Sequence, residues 1–444
     1  MHSEVARCTL ISRPGSQNGN SGLRLDELSA AGVEDNETVK FIHAADWQLG
    51  ARFSQFGPKA ELLRKARLQT LETALRKANE LAVDAFLIAG DLFEDRQVDD
   101  AVITAALAKF GSLSDLPIFI LPGNHDPNTG PGSIWNRKPF TGKPPNVTIL
   151  AEPGVYDCAG ARLIASPLKQ KVSTIDPSLK IAELARELPD DRIQIGITHG
   201  ALAIPAQHQP NDFPIALEAA TRAGLDYLAV GHWHTWQMYD HGRLVMPGTA
   251  EPDGFEQAGA GSIALVEIAA RGATPNVQQI PVATLRWQML ECDYTDLQTA
   301  RQSLEYKLAE LRPLADRTVL RVKLGGSVSP RALSEARQWL ESAVEPFLVS
   351  QILDQTSVAF SAAELEELQR NHPLLAQTIA DLTQIEHLAT NAPLPAGIDQ
   401  SQVIPLSQAQ ALLSNAKIEM SMLDGDFFKF AHQLLSQKLQ EAIR

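Results

Sequence analysis

Val39-Lys40-Phe41-Ile42-His43-Ala44-Ala45-Asp46 is a short apolar run that stops on a carboxylate, and four later stretches of the chain repeat this design. Ala85 to Ala89 leads into Gly90-Asp91, and Ile118 to Leu121 leads into Gly123-Asn124-His125-Asp126. Ile193 to Thr198 leads into His199, and Tyr227 to Val230 into Gly231-His232-Trp233-His234. Apolar runs of this length, closed by turn residues, read as buried strands. Helical patterns lie between them at Lys59 to Leu81, Asp99 to Phe110 and around Ala216 to Arg222. Such alternation favours βαβ units and a layered α/β domain. Open α/β sheets bind ligands outside the carboxyl ends of their strands, so the five ends are expected at one cleft. Two Asp, one Asn and three His form the donor set of a pair of divalent ions, with His125 left for acid or base work.

The rest of the chain bounds this reading. Its 444 residues suffice for two or three domains, and 44% hydrophobic with 21% charged residues describes a globular protein with a real core. No apolar run approaches the ~20 residues that span a bilayer, and the N-terminal residues lack the apolar core of a secretory signal. Cys8, Cys158 and Cys292 are scattered without CxxC spacing, so neither a disulfide framework nor a thiolate metal site is indicated, and a reducing cytoplasm fits. A net charge of −14 argues against simple electrostatic attraction to nucleic acid. Bound metal ions would nevertheless invert the field at a cleft. Pro127 to Asn146 is locally basic, with Arg137, Lys138, Lys143 and the aromatics Trp135 and Phe140. It reads either as a base-stacking loop or as an ordinary Pro/Gly-rich surface loop.

Four regions follow from composition and pattern. Residues 1–38 are rich in Ser, Gly and Asn without a period and are expected to be a disordered extension. Residues 39–282 form the layered domain, in which Arg243 to Met246, Ser262 to Ile268 and Val277 to Val282 suggest neighbouring strands of a second sheet. Residues 283–360 read as a β-α-β-α-β unit: strands at Leu285 to Cys292, Thr318 to Leu324 and Phe347 to Leu353, and helices opened by Thr295-Asp296-Leu297-Gln298 and Ser329-Pro330. Residues 361–444 read as a helical tail. A capping box at Ser361 opens an amphipathic stretch to Leu388, and further helices are expected at Leu406 to Lys417 and Phe427 to Ile443.

Taken singly, Asp46 and Asp91 are weak signals, because a carboxylate after a strand is more often a cap or turn residue. Gly123-Asn124-His125-Asp126 is stronger, since it puts an amide oxygen, an imidazole and a carboxylate on adjacent positions. His232 and His234 are stronger still, because residues at i and i+2 of an extended segment share a face. The remaining histidines read as ordinary surface or core residues.

The series His43-Ala44-Ala45-Asp46-Trp47-Gln48-Leu49-Gly50, Gly90-Asp91-Leu92-Phe93, Gly123-Asn124-His125-Asp126, Thr198-His199-Gly200 and Gly231-His232-Trp233-His234 resembles the calcineurin-like metallophosphoesterases. Within them it is most similar to SbcD-type DNA repair exonucleases. The resemblance implies a four-layer αββα sandwich with a small capping domain and a helical tail. It implies two divalent ions, manganese in this family, with Asp91 bridging, Asp46 and His234 on the first, and Asn124, His199 and His232 on the second. His125 would protonate the leaving oxygen, with Asp126 orienting it. The family's first motif is Asp-x-His, and this chain departs from it by carrying Gln48 as the expected ligand. The implied partners are DNA, a second copy of the chain and an SbcC-type coiled-coil ATPase, since the chain itself has no Gly-x-x-x-x-Gly-Lys-Ser/Thr loop. A phosphodiesterase acting on a small molecule, and a weakly active regulatory subunit with a degenerate first metal site, stay open beside the exonuclease.

Overall fold

The computed structural model describes residues 38–205, 207, 209–358, 362–371, 373–390 and 431. The chain divides into two compact units, one reaching to Arg286 and the other starting at Trp287. In the first unit the strands are β1 (Val39–Ala44), β2 (Ala85–Ala89), β3 (Ile118–Leu121), β4 (Val147–Ile149), β5 (Gly154–Cys158), β6 (Ala161–Ser166), β7 (Gln194–His199), β8 (Tyr227–Gly231), β9 (Gln237–Tyr239), β10 (Leu244–Met246), β11 (Ser262–Ile268) and β12 (Asn276–Pro281). Its α-helices are α1 (Ala60–Glu80), α2 (Asp100–Gly111), α3 (Lys138–Thr141), α4 (Ser178–Glu187) and α5 (Ala219–Arg222).

These strands make two six-stranded sheets, ordered β12-β11-β1-β2-β3-β4 and β5-β6-β7-β8-β10-β9. In the first, β1 to β4 are parallel, with Ile42 opposite Phe86 and Ile88 opposite Ile120. In the second, β6, β7 and β8 are parallel, with Thr198 opposite Val230 and His199 opposite Gly231. The sheets face each other across an apolar layer that takes Phe41, Leu87, Phe119 and Leu121 from one and Leu163, Ile195, Ile197, Tyr227 and Ala229 from the other. The outer face of the first sheet is covered by α1 and α2 through Leu71, Ala74, Leu75, Ala78, Ile103 and Phe110. The outer face of the second is covered by α4 and α5 through Ile181, Ala219 and Ala220. The result is the four-layer αββα arrangement. Strands buried on both faces explain why β1, β2 and β3 read as continuous apolar runs.

Two expectations need correction here. The strands after β9 do not form one added sheet: β10 pairs with β8 and β9, whereas β11 lies antiparallel to β1, with Val39 opposite Ile268, and β12 pairs with β11. Apolar pattern reveals that a strand exists and is silent about its neighbour. The aromatics of Pro127 to Asn146 are not a free surface either: they are largely buried, beside a cleft that Asn136 and Lys143 also line. Trp135 and Phe140 are 7% exposed, pack on Phe93 with centroids 5.9 and 6.2 Å away, and the Trp135 indole donates to the Asp126 carbonyl at 2.6 Å. Arg137 is used locally as well, donating to the Val98 carbonyl and pairing with Asp100.

The second unit contains β13 (Arg286–Asp293), α6 (Leu297–Leu311), β14 (Thr318–Gly325), β15 (Ser327–Val328), α7 (Pro330–Val344), β16 (Val349–Asp354), β17 (Ser357–Val358), α8 (Ala362–Asn371) and α9 (Pro373–Thr390). Its sheet runs β13-β14-β16 and its core joins Leu320, Val322 and Leu324 to Leu304, Leu308, Leu340 and Val344 of the two helices. The cap of α6 is Asp296 rather than Thr295: its carboxylate accepts from Gln298 N and Thr299 N, while the Thr295 hydroxyl donates to Asp293. Ser329 caps α7 by accepting from Ala332 N. The expected capping residue Ser361, the helices at Leu406 to Lys417 and Phe427 to Ile443, and the extension 1–38 lie outside the described residues, apart from the single positions Thr38 and Ala431. Among the described residues no helix is long and apolar enough to cross a membrane.

Replacing Trp135 by Ala empties a core position under the candidate site. Unfolding is expected to become easier by roughly 3–5 kcal/mol, the range for Phe or Trp truncations in cores. Chemical denaturation measures it, and an unchanged midpoint would return Trp135 to a surface role.

Candidate metal centre

The parallel strands β1, β2 and β3 of one sheet and β7 and β8 of the other end on one side of the sandwich, and every expected ligand sits at or just past such an end. The loops leaving β1 and β2 run together: Asp46 N donates to the Gly90 carbonyl at 3.2 Å and Gln48 N to the Asp91 carbonyl at 3.0 Å. Two glycines allow close approaches at this point, Gly90 between the two sheets and Gly123 between neighbouring strand ends of the first. A Cβ on Gly90 would stand 2.1 Å from His199 Nδ1, and one on Gly123 would stand 2.2 Å from Asp91 Oδ1. Asp46, Gln48, Asp91 and His232 all hold positive φ, at 54°, 41°, 52° and 135°. Such backbone costs about 1–3 kcal/mol per residue and concentrates at functional sites.

One donor of each of Asp46, Asp91 and His199 falls within 4.8 Å of the others, and all three side chains are buried. His199 Nε2 lies 3.3 Å from Asp91 Oδ2 and 2.8 Å from Asn124 Oδ1. His232 Nδ1 lies 3.2 Å from the same Asn124 oxygen. On the other side, the Gln48 amide lies 3.0 Å from His234 Nε2. The turn after β3 joins the group through the His125 N–H, which donates to Asp91 Oδ1 at 2.9 Å. The expected residues are thus brought to one cleft.

Each imidazole has one nitrogen tied away from the cleft. His199 Nδ1 donates to the Ala89 carbonyl at 2.8 Å, His232 Nε2 to Asp212 Oδ2 at 2.8 Å, and His234 Nδ1 to Asp253 Oδ1 at 3.2 Å. Each ring therefore aims its other nitrogen inward, the arrangement by which outer hydrogen bonds set the tautomer of a metal-binding His. Once His199 gives up its inward proton, the inward atoms are acceptors facing acceptors: two ring nitrogens, the Asn124 oxygen and the Asp91 carboxylate. Asp46 Oδ1 is buried with no hydrogen bond among the described residues. A cluster of converging lone pairs is what a cation satisfies, so this donor set fits divalent ions. Oxygen and imidazole donors without thiolate suit Mn2+, Mg2+ or Zn2+.

Charges follow from the same packing. Burial pushes the Asp46 carboxyl up. Burial acts the same way on Asp91, but the His199 ring, its hydrogen bond and the His125 N–H outweigh it and hold Asp91 below the usual carboxylate range. Burial alone would lower His199, yet Asp91 beside it pushes the ring up to about 9. Burial, with the Asp91 charge added, raises Asp126 to about 7.

Asp126 does not orient His125. Its carboxylate accepts from Phe93 N at 3.0 Å and Gly123 N at 2.7 Å, which braces the turn itself. The His125 ring is held instead by the Glu94 carbonyl, which accepts from Nδ1 at 2.8 Å. Sequence reasoning also passed over Asp212, Asp253 and Gln257, because their loops carry no motif and reach the histidines only through tertiary contact.

Since His199 carries a proton below about pH 9 in the ion-free centre and a ligand must be deprotonated, a divalent ion should displace it. Titrating Mn2+ at pH 7 in buffers of different ionisation heat should show proton release, and affinity should rise with pH up to that value. Heats that do not depend on the buffer would contradict the assignment.

Residues 39–236 match the family model described as calcineurin-like phosphoesterase. The chain is 26% identical over 238 residues to a DNA double-strand break repair protein Mre11 of Methanopyrus kandleri, covering 48% of this chain and 49% of that protein. It is 32% identical over 90 residues to the protein of the same name in Methanosarcina acetivorans, covering 20% of this chain and 14% of that one. The alignments thus span half or less of the relatives' length. Among solved structures, the calcineurin-like phosphoesterase YfkN from Bacillus subtilis aligns at TM-score 0.35 and 11% identity, over 62% of this chain and 99% of that one. The segment that carries every candidate ligand is thus the one similar to the calcineurin-like phosphoesterases, and it holds the buried Asp46, Asp91 and His199 group described above.

Proposed function

We propose that the chain is a manganese-dependent DNA nuclease of the SbcD type, cutting phosphodiesters from an end in DNA repair, in the cytoplasm. The observation that carries the reading is the convergence of five strand ends on one acceptor-lined cleft. The local likeness to Mre11 proteins of two archaea supports DNA as the substrate.

Asp46, Gln48, Asp91 and His234 would hold one ion and Asp91, Asn124, His199 and His232 the other. When bound, such a pair neutralises the phosphate and lowers the pKa of a coordinated water towards about 7. The chain's own part is positional. Asp212 and Asp253 keep His232 and His234 aimed inward, and Asp126 braces the turn that presents Asn124 and His125. Because the Glu94 carbonyl retains the Nδ1 proton of His125, the proton available to a leaving oxygen is the one on Nε2. A second copy of the chain and an SbcC-type ATPase are proposed as partners, with the helical tail as the point of attachment.

The net charge of −14 favours one rival, hydrolysis of a small phosphodiester at the same centre. Affinity for DNA separates the two, since a DNA enzyme releases counterions and its binding weakens steeply as salt rises. A flat salt profile would favour the small substrate.

With Mn2+ and linear duplex DNA, His125→Ala is expected to lower turnover by about 10² to 10⁴ while leaving the melting temperature and metal uptake in place. Equal turnover in the variant would remove His125 from the chemistry.

A further inference from the structure

The position that departs from the family motif is surrounded by groups that give it a definite orientation. Gln48 is 6% exposed. With the amide nitrogen towards Asp253 Oδ2 at 3.1 Å and Glu94 Oε2 at 3.3 Å, the oxygen stands 3.0 Å from His234 Nε2, so that once that nitrogen is unprotonated two lone pairs converge there. The reverse orientation would set Oε1 against two carboxylates. Both oxygens of Asp253 are already engaged: Oδ2 accepts from the buried Arg67 guanidinium at 2.9 Å, and Oδ1 from His234 Nδ1 at 3.2 Å and from Gln257. Asp253 is therefore an anchor and not a donor to an ion.

We propose that Gln48 is a carbonyl-oxygen ligand of the first ion, aimed by Glu94 and Asp253, and that this makes the first site select Mn2+ or Mg2+ over Zn2+. The inference rests on the two-metal reading of the cleft. Two donors each about 2.1 Å from one octahedral ion, at right angles, stand about 3 Å apart. The Gln48 oxygen and His234 Nε2 have that spacing. An imidazole suits zinc well, whereas a carbonyl oxygen is a hard donor that suits Mg2+ and Mn2+. Replacing the one by the other lowers the zinc preference of the site, and the carboxylate anchors supply the orientation that a rotatable amide lacks.

The full chain, stripped of metal, is titrated with Mn2+ and with Zn2+ by calorimetry, and the melting temperature confirms folding of each variant. Gln48→His should raise the Zn2+-to-Mn2+ affinity ratio at one of two sites by about tenfold or more. Gln48→Met, which removes the oxygen at similar size, should weaken one Mn2+ by about tenfold and spare the other. Glu94→Gln should weaken Mn2+ several-fold in the native background and change nothing once residue 48 is His, because the amide it aims is gone. An unchanged metal ratio in Gln48→His, or an equal effect of Glu94→Gln in both backgrounds, overturns the proposal. Asp91→Asn tests the centre separately: if it takes up both ions as the native chain does, the two-metal reading fails and not merely the role of Gln48.

Discussion

The structure depends on a close approach of two sheets at the carboxyl ends of their parallel strands. Ala89 of one sheet accepts a hydrogen bond from His199 of the other at 2.8 Å, and a Cβ at Gly231 would lie 2.2 Å from that same carbonyl. This contact leaves no room for a side chain at position 231. It also decides which nitrogen of His199 looks into the cleft. Everything chemical about the centre is downstream of it, since Asp91, Asn124 and His199 converge only if β2, β3 and β7 end level with one another.

Around that contact the protein accumulates polar groups that burial would otherwise penalise. Asp46, Asp91, Asp126 and His199 are 0–1% exposed, and isolated charges in such surroundings are expensive. Asp126 is compensated by two backbone N–H groups, and Asp91 by the His125 N–H and the His199 ring. Arg67, 1% exposed, neutralises Asp253 and donates to the Trp47 carbonyl at 2.7 Å, tying α1 to the loop that bears Asp46 and Gln48. The strained backbone at Asp46, Gln48, Asp91 and His232 is held by the same network. Strain and converging acceptors occur together at this one cleft.

The helix α1, expected over Lys59 to Leu81, is observed over Ala60–Glu80, and the strands leading to the candidate ligands lie where their apolar runs placed them. Those elements are legible because burial on both faces of β1, β2 and β3 leaves a continuous apolar signature. Pairing is less legible. β11 reads as a companion of β10 because the segment between them is turn-like, yet it closes the opposite sheet against β1. The hairpin of β5 and β6 and the helix α4 fall outside the expected elements, β5 because it is half-exposed, α4 although it is amphipathic and buries Ile181 on one face.

The sequence by itself determined the ligand candidates, their order and the αβ alternation, because strand termini and turn chemistry are local and leave their residues adjacent in the chain. It also carried the departure at Gln48. Only the tertiary structure decided how those residues are aimed. Asp212 and Asp253 act on His232 and His234 from 20 and 19 residues away, and Glu94 acts on Gln48 from the loop that follows a different strand. Hydrogen bonds of that kind follow from how two sheets pack, which no local pattern encodes.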